Sequence, residues 1–296
     1  MHMLNTNTEE LLKRVRRVEI KTRALSSGVF AGEYHSAFKG RGMSFGEVRE
    51  YRIGDDVRDI DRNVTARLGR LHVKVYEEER ELTVMLVVDI SGSTDFGSGE
   101  TNVRTLLAEM AATLAFSAGR TGDKVGLLLF SSGTPLFLPA GKGRSHTLRI
   151  IRELLEYTPE SRETNLNEAL EYLMRVVRRR AIVFVMSDFL GDTNYADALR
   201  QLARKHDVAA IRIEDPRTAE LPNVGLMRVC DAETGHELLL DTASAKVRRL
   251  HAERRKEHVA ALDDLLKRQG IDHVSVMPGD DYVKALMRMF ARRGRH

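Results

Sequence analysis

The stretch VVDISGST, residues 87–94, ends an apolar run with a carboxylate, Asp89, and follows it with hydroxyls at Ser91, Ser93 and Thr94. In a tight loop turned at Gly92, the alternate spacing of Asp89, Ser91 and Ser93 can aim three side-chain oxygens at one point. Hard divalent cations take such oxygen sets, and Mg²⁺ in particular uses few carboxylates and keeps several waters. The same residue types are also standard helix caps, and a helix is expected to begin close by, so the D-x-S-x-S pattern alone admits either role. Two further segments place polar groups at comparable points. RETNLNEAL carries Thr164 just before a helix, and RAIVFVMSDF carries Asp188 directly after a strand. Each alone reads as a cap or loop group. Together, two carboxylates, two serines and a threonine emerge on the same edge of one expected sheet.

The elements that must position them follow from periodicity. From residue 82 onward, short apolar runs alternate with helix-period segments, the pattern of β/α units around a mostly parallel sheet. Strands are expected in ELTVMLVV and at 123–130, 134–139, 180–187, 206–213 and 271–277, with helices around 101–119, 146–156, 166–179, 195–205, 245–269 and 281–293. VGLLLF and TPLFLP lie too close for a crossover helix, so one antiparallel edge strand is expected. The fold class is therefore α/β, a doubly wound sheet with helices on both faces. The segment RVCDAETGHELLLD, near 226–241, reads as an inserted hairpin. In such sheets ligands bind at the carboxyl ends of strands, where the pattern above falls.

Residues 1–80 differ in character and are expected to form a helical and β extension packed on the main domain of residues 81–296. An amphipathic helix over 8–25 is followed by a Gly-rich stretch, GVFAGEYHSAFKGRGMSF, read as a loop. A charged segment then leads into the strand-like LHVKVYEEE. The run Arg49, Arg52, Asp55, Asp56, Arg58, Asp59, Asp61 and Arg67 reads first as an ion-pair network fastening the extension to the sheet. A sharper reading makes Arg49, Arg52, Asp55, Asp56, Arg58 and Asp61 a docking surface for a partner protein.

Composition excludes several classes. Hydrophobic residues at 42% and charged residues at 30% describe a folded globular chain, and 47 basic against 43 acidic residues leave a net charge of only +4. The lone Cys230 rules out an intramolecular disulfide framework and suits a reducing compartment. No apolar run approaches the roughly 20 residues that span a bilayer, and MHMLNTNTEELLKRVRR lacks a signal peptide's apolar core. The expectation is a cytoplasmic chain with no membrane insertion. The absence of H-E-x-x-H and of a metal-spaced Cys/His cluster leaves a catalytic zinc unsupported. AGKGRSHT lacks the phosphate-loop spacing.

With these residues assembled, the sequence resembles a von Willebrand factor type A domain carrying a complete metal-ion-dependent adhesion site (MIDAS): Asp89, Ser91 and Ser93 as the D-x-S-x-S loop, Thr164 as the threonine and Asp188 as the late aspartate. Upstream, GRGMSFGEVREYRIGDDVRDID and ARLGRLHVKVYEEERE resemble the segment preceding this domain in the uncharacterised, Bat-related proteins associated with MoxR-type AAA+ ATPases. The resemblance spans about residues 20–290. It departs at Arg62, where the family pattern has Trp, and at Thr94, where Met is common; neither supplies a metal ligand. What it implies is a non-enzymatic adaptor or co-chaperone. The serines and threonine would coordinate Mg²⁺, or Mn²⁺ in its place, the aspartates would act partly through water, and a partner's Asp or Glu would complete the coordination. A MoxR-type AAA+ ATPase and a client protein offering an acidic side chain are the implied partners.

Two other classes remain in view. Asp89 after an apolar strand also opens phosphoaspartyl hydrolases, but that chemistry pairs the nucleophile with a carboxylate two residues on, where Ser91 stands. Arg248, Arg249, Arg254, Arg255 and Lys256 could line a nucleic-acid-binding helix, but Glu253, Glu257, Asp263 and Asp264 interrupt the stripe and no aromatic platform accompanies it.

Overall fold

A computed structural model describes residues 2–26, 29–39, 43–78, 81–95, 103–159, 161–190, 193–214, 220–231 and 233–293. The central sheet has six strands: β3 (Thr83–Asp89), β4 (Lys124–Phe130), β5 (Leu136–Gly141), β6 (Ile182–Ser187), β7 (Asp207–Ile213) and β10 (Asp272–Val276). Their spatial order is β10-β7-β6-β3-β4-β5. All pairs are parallel except β4 with β5, so the expected α/β class and antiparallel edge strand are both found.

Burial on both faces explains why these strands read as near-continuous apolar runs rather than alternating ones. Val84, Leu86 and Val88 of β3 point into one core with Leu127, Leu129 and Phe184. Met85 and Val87 point into the other with Leu128, Val183 and Val185. The first core is closed by α4 (Val103–Thr121), α5 (Arg144–Glu156) and α9 (Tyr282–Arg293); the second by α6 (Leu166–Val176), α7 (Ala196–Lys205) and α8 (Ala245–Arg268).

The extension adds a further layer to the first face. Helices α1 (His2–Leu25) and α2 (Val29–Lys39) bury Val15, Val18, Phe30, Tyr34 and Phe38 in the same core as the sheet. Polar ties reinforce this. Tyr34 Oη donates to Asp123 Oδ2 at 3.3 Å, Arg144 Nε to Glu19 Oε1 at 2.6 Å and Lys21 Nζ to Glu109 Oε2 at 2.6 Å. Covered by the sheet on one side and α1 and α2 on the other, α4 is buried almost all round.

Helix α2 overturns one expectation. Within the Gly-rich stretch Val29–Lys39 is a helix and not a loop, while residues 28 and 40–42 lie outside the described residues: Phe30, Tyr34 and Phe38 recur every fourth residue and form a buried stripe. Gly32 sits on the exposed side of that helix, where glycine costs only about 1 kcal/mol relative to alanine. The stripe's burial outweighs that cost. Phe30, Tyr34 and Phe38 also meet Phe290 of α9 at ring-centroid distances of 5.6, 6.0 and 5.6 Å.

Beyond α2 the chain forms β1 (Met43–Glu50), which pairs antiparallel with β2 (His72–Glu78) across a register irregularity between Phe45 and Glu47. Between them lies α3 (Arg62–Leu68), capped by Asp61 at its start and ended by Gly69 in the left-handed conformation, φ 66°. A separate two-stranded hairpin, β8 (Leu226–Cys230) and β9 (Glu237–Asp241), occupies the expected insertion.

Candidate functional site

From β3 the chain moves outward through β4 to β5, then returns to place β6 on the opposite side of β3. The carboxyl ends of β3 and β6 therefore flank the point where strand order reverses, the crevice in which open α/β sheets bind ligands. Asp89 is the last residue of β3, and Asp188 follows the last residue of β6.

Asp89 is fully buried. Its Oδ1 accepts the Ser91 N–H at 2.9 Å and its Oδ2 the Ser187 hydroxyl at 2.7 Å. Both of these donors are uncharged. Burial first, and the charge of Asp188 second, push the Asp89 carboxyl up to about 7, against the hydrogen bonds from Ser187 and Ser91. Ser91 Oγ lies 3.0 Å from Ser93 Oγ. Thr94, the departure noted in the sequence, closes the loop: its buried hydroxyl donates to the Ser91 carbonyl at 2.8 Å and its N–H to the same oxygen at 3.0 Å.

The loop before α6 is laced to this one. Gly92 N–H donates to the Arg162 carbonyl at 2.8 Å, and Ser132 N–H to that of Glu163 at 2.6 Å. Thr164 follows, half-buried, but its hydroxyl donates to Glu233 Oε1 at 2.7 Å and its N–H to Glu233 Oε2 at 3.3 Å. Asn165 caps α6 by accepting the Glu168 N–H.

Asp188 is half-buried and accepts the Leu190 N–H at 2.9 Å. The next residue, Phe189, is a buried non-glycine at φ 55°, a conformation that costs roughly 1–2 kcal/mol and tends to mark functional loops. It is held from both sides: its N–H donates to Ser187 Oγ at 3.0 Å, and its carbonyl accepts from His258 Nε2 of α8 at 3.0 Å. Tyr195 packs on Phe189 with its hydroxyl buried, and burial followed by the Asp188 charge pushes it up to about 12.

The structure thus joins Asp89, Ser91 and Ser93 through direct hydrogen bonds and brings Asp188 beside them. Thr164 lies on the adjoining loop, engaged by Glu233. Among the described residues no group of three or more His, Cys, Asp or Glu side chains could hold a metal ion, so a cation here would be held by hydroxyls beside the aspartates. That donor set, oxygen only and with a desolvated carboxylate short of positive charge, fits a hard divalent ion. The reading of the sequence missed Ser187, Phe189, His258 and Glu233, and noted Thr94 without giving it a role. Ser187 and Thr94 adjoin predicted ligands and were legible as hydroxyls in the same loops. Nothing in the sequence places a hairpin tip against a loop 69 residues away.

The charged run of the extension folds that segment onto itself. Arg49 makes two 2.8 Å hydrogen bonds to Asp55, which with the Arg52 N–H hold the Asp55 carboxyl down at about 2. Asp56 pairs with Arg58, and Asp61 caps α3 and lies 3.8 Å from Lys74. Arg52, Ile53, Val57, Leu68 and Leu71 are exposed around it. In α8, Arg255 pairs with Glu214 and Arg249 with Glu253, so the basic stripe is partly neutralised.

Residues 47–261 match the family model described as a protein of unknown function, DUF58. The chain belongs to the DUF58 family. A relative, the uncharacterized protein Rv1480 of Mycobacterium tuberculosis, is 33% identical over 290 residues, covering 97% of this chain and 90% of its own. Solved structures similar to this DUF58 chain include BatB from Bacteroides thetaiotaomicron, with 18% identity and a TM-score of 0.47, covering 73% of this chain and 100% of that one. Another is an aerotolerance-related membrane protein from Bacteroides fragilis, at 16% identity and a TM-score of 0.48, covering 72% and 98%. No helix among the described residues of this chain is long and apolar enough to cross a membrane.

Proposed function

We propose that this DUF58 chain is a non-enzymatic, Mg²⁺-dependent protein-binding adaptor that captures an Asp or Glu of a partner at the carboxyl ends of β3 and β6. The observation that carries the reading is the state of Asp89. A fully buried carboxyl with only neutral hydrogen-bond donors, beside a second carboxylate and two hydroxyls 3.0 Å apart, is costly to ionise unless a cation joins it. A divalent cation bound there would neutralise it and offer an open electrophilic position to a carboxylate.

Around that position each residue has a distinct task. Ser91 and Ser93 supply hydroxyl ligands, and Thr94 and Ser187 hold the loop and the Asp89 carboxylate in register. Asp188 contributes charge from the neighbouring strand, and Thr164 supplies the hydroxyl of the third loop. With both Asp89 oxygens engaged and the side chain buried, a holding role is favoured over that of a phosphoryl-accepting nucleophile. The working partner we propose is a MoxR-type AAA+ ATPase in the cytoplasm. It rests on the upstream segment around residues 40–61, and the exposed Arg52, Ile53 and Val57 supply a mixed polar and apolar patch for it.

Titration calorimetry with MgCl₂ and MnCl₂ tests the site: the wild-type chain takes up one divalent ion, and Ser91→Ala/Ser93→Ala abolishes uptake while unfolding normally. Co-purification in Mg²⁺ against EDTA then identifies the partner that dissociates. No uptake by the folded wild-type chain refutes the adaptor reading. Metal-dependent phosphate release abolished by Asp89→Asn, but kept by the double serine variant, moves the function to hydrolysis.

A further inference from the structure

The hairpin β8–β9 does not join the central sheet, and most of it faces solvent: Leu226, Leu238 and Leu239 are at least 60% exposed. A two-stranded ribbon of five-residue strands is marginal on its own. Its base is pinned by Thr242, whose N–H and hydroxyl both donate to the Gly225 carbonyl, at 2.8 and 2.7 Å. Its tip is built to one shape. Asp231 Oδ1 accepts the N–H groups of Glu233 and Thr234 at 2.9 and 2.8 Å, and Gly235 adopts φ 72° and returns its N–H to the Asp231 carbonyl at 2.9 Å. Those hydrogen bonds hold the Asp231 carboxyl below its usual range, the Thr234 N–H most strongly. Asp231, Thr234, Gly235 and His236 are all exposed, and Glu233 alone of the described tip residues is half-buried, both carboxylate oxygens receiving hydrogen bonds from Thr164.

An arm thus ends in a preorganised turn that delivers one carboxylate to the one site residue whose hydroxyl is otherwise uncommitted to the Asp89 cluster. We propose that Glu233 is a further residue of the candidate site, a ligand supplied in cis. It sits where an incoming Asp or Glu would bind, so partner docking and release of the arm are a single competition. The inference rests on the adaptor reading above. Two hydrogen bonds to a charged carboxylate correspond to about a 10–100-fold preference for the seated arm, and an equal reduction in apparent partner affinity.

The 296-residue chain provides its own reporter, because Cys230 is its only cysteine, is exposed, and lies three residues from Glu233. In metal-free protein, Glu233→Gln and Thr164→Val should each increase the mobility of a fluorophore on Cys230 and the hydrogen exchange of residues 226–241. The double variant should do no more than either, and Thr164→Ser should restore the seated arm. In Mg²⁺, a Gly-Gly-Glu-Gly-Gly peptide should bind Glu233→Gln about 10–100-fold more tightly than wild type. It should bind neither chain once Ser91 and Ser93 are alanine. Unchanged arm exchange in Glu233→Gln, or equal peptide affinity in the two chains while both bind Mg²⁺, overturns the inference and leaves the adaptor reading standing. Arm release with no Mg²⁺ uptake by either chain overturns the adaptor reading, and the competition with it.

Discussion

Replacing Arg293 should be among the most destabilising single changes in the chain. Its guanidinium is only 5% exposed and pairs with Asp207, itself 10% exposed; Nε also lies 3.2 Å from Asp272 Oδ2, and the group stacks on Phe38 with Cζ 4.5 Å from the ring centroid. Breaking a buried ion pair by deleting one partner costs about 3–5 kcal/mol, because the remaining charge stays desolvated. Asp272 adds little, being 38% exposed and screened by water. The stacking contact contributes roughly 1–2 kcal/mol and is not independent of the pair. We therefore expect Arg293→Ala to lose about 3–5 kcal/mol. Arg293→Lys, which keeps the charge without the planar fork, should lose about half as much. Arg293→Met combined with Asp207→Asn should recover most of the deficit. Urea unfolding followed by circular dichroism and tyrosine fluorescence reads this directly, since the chain has no tryptophan. Asp207 and Asp272 begin β7 and β10, about 20 and about 13 Å from those strands' carboxyl ends at 3.3 Å per residue. Mg²⁺ uptake should therefore be unchanged in all these variants. A loss below about 1 kcal/mol for Arg293→Ala would show that the pair is solvated and does not clamp α9 to the sheet.

Gly126→Ala places a Cβ 2.6 Å from Met85 Sδ and 3.0 Å from the Leu138 carbonyl, so it should cost about 1–3 kcal/mol in the same assay, whereas Gly32→Ala, with open space around it, should stabilise α2 by about 0.5–1 kcal/mol. His206 is buried and accepts the Ala181 N–H at 3.2 Å through Nδ1; burial first, then Lys205 and Arg180, lower it to about 4. A base depressed in the folded state contributes stability above its ordinary pKa of 6.5 and loses it as pH falls towards 4, here up to about 3 kcal/mol; His206→Asn should flatten that limb of a urea-midpoint profile by about one proton. Thr94→Val removes the 2.8 Å bond to the Ser91 carbonyl and should weaken Mg²⁺ uptake about 10-fold by calorimetry with a stability loss of only about 1 kcal/mol.

How much of this was legible in the sequence depended on the range over which each feature is determined. The six central strands showed in local composition because burial on both faces demands β-branched and aliphatic residues at nearly every position, as in Ile182–Met186. The D-x-S-x-S loop was legible for the same reason, since a carboxylate ending such a strand has no packing role. Helix α2 was obscured because Gly28, Gly32, Gly40 and Gly42 mimic loop composition, while the opposing signal, an aromatic every fourth residue, acts only once a tertiary surface exists to receive it. Strand β1 was hidden by the irregularity between Phe45 and Glu47, which breaks period-two alternation. Glu233 was beyond reach. Its turn is locally encoded by Asp231 and Gly235, but its target is fixed by the position of β8–β9 in three dimensions.

The extension and the candidate site sit at opposite ends of the same dependence. Helices α1 and α2 complete the core over α4 and α9, and Phe38 of α2 meets Arg293 at the sheet edge remote from Asp89. At the other edge, the loop before α6 is bonded to the loop after β3 through Gly92 and Arg162 and carries Thr164, which holds Glu233 of the arm, while His258 of α8 holds the loop after β6. Because β9 leads into α8 through the Ser244 cap, the arm and the helix that holds the Phe189 carbonyl are consecutive in the chain. A ligand that displaces Glu233 therefore acts on the segment immediately preceding the helix whose His258 holds Phe189, beside Asp188, in its strained conformation. The site's two sides are linked by covalent continuity as well as by proximity, and a partner has to contend with both.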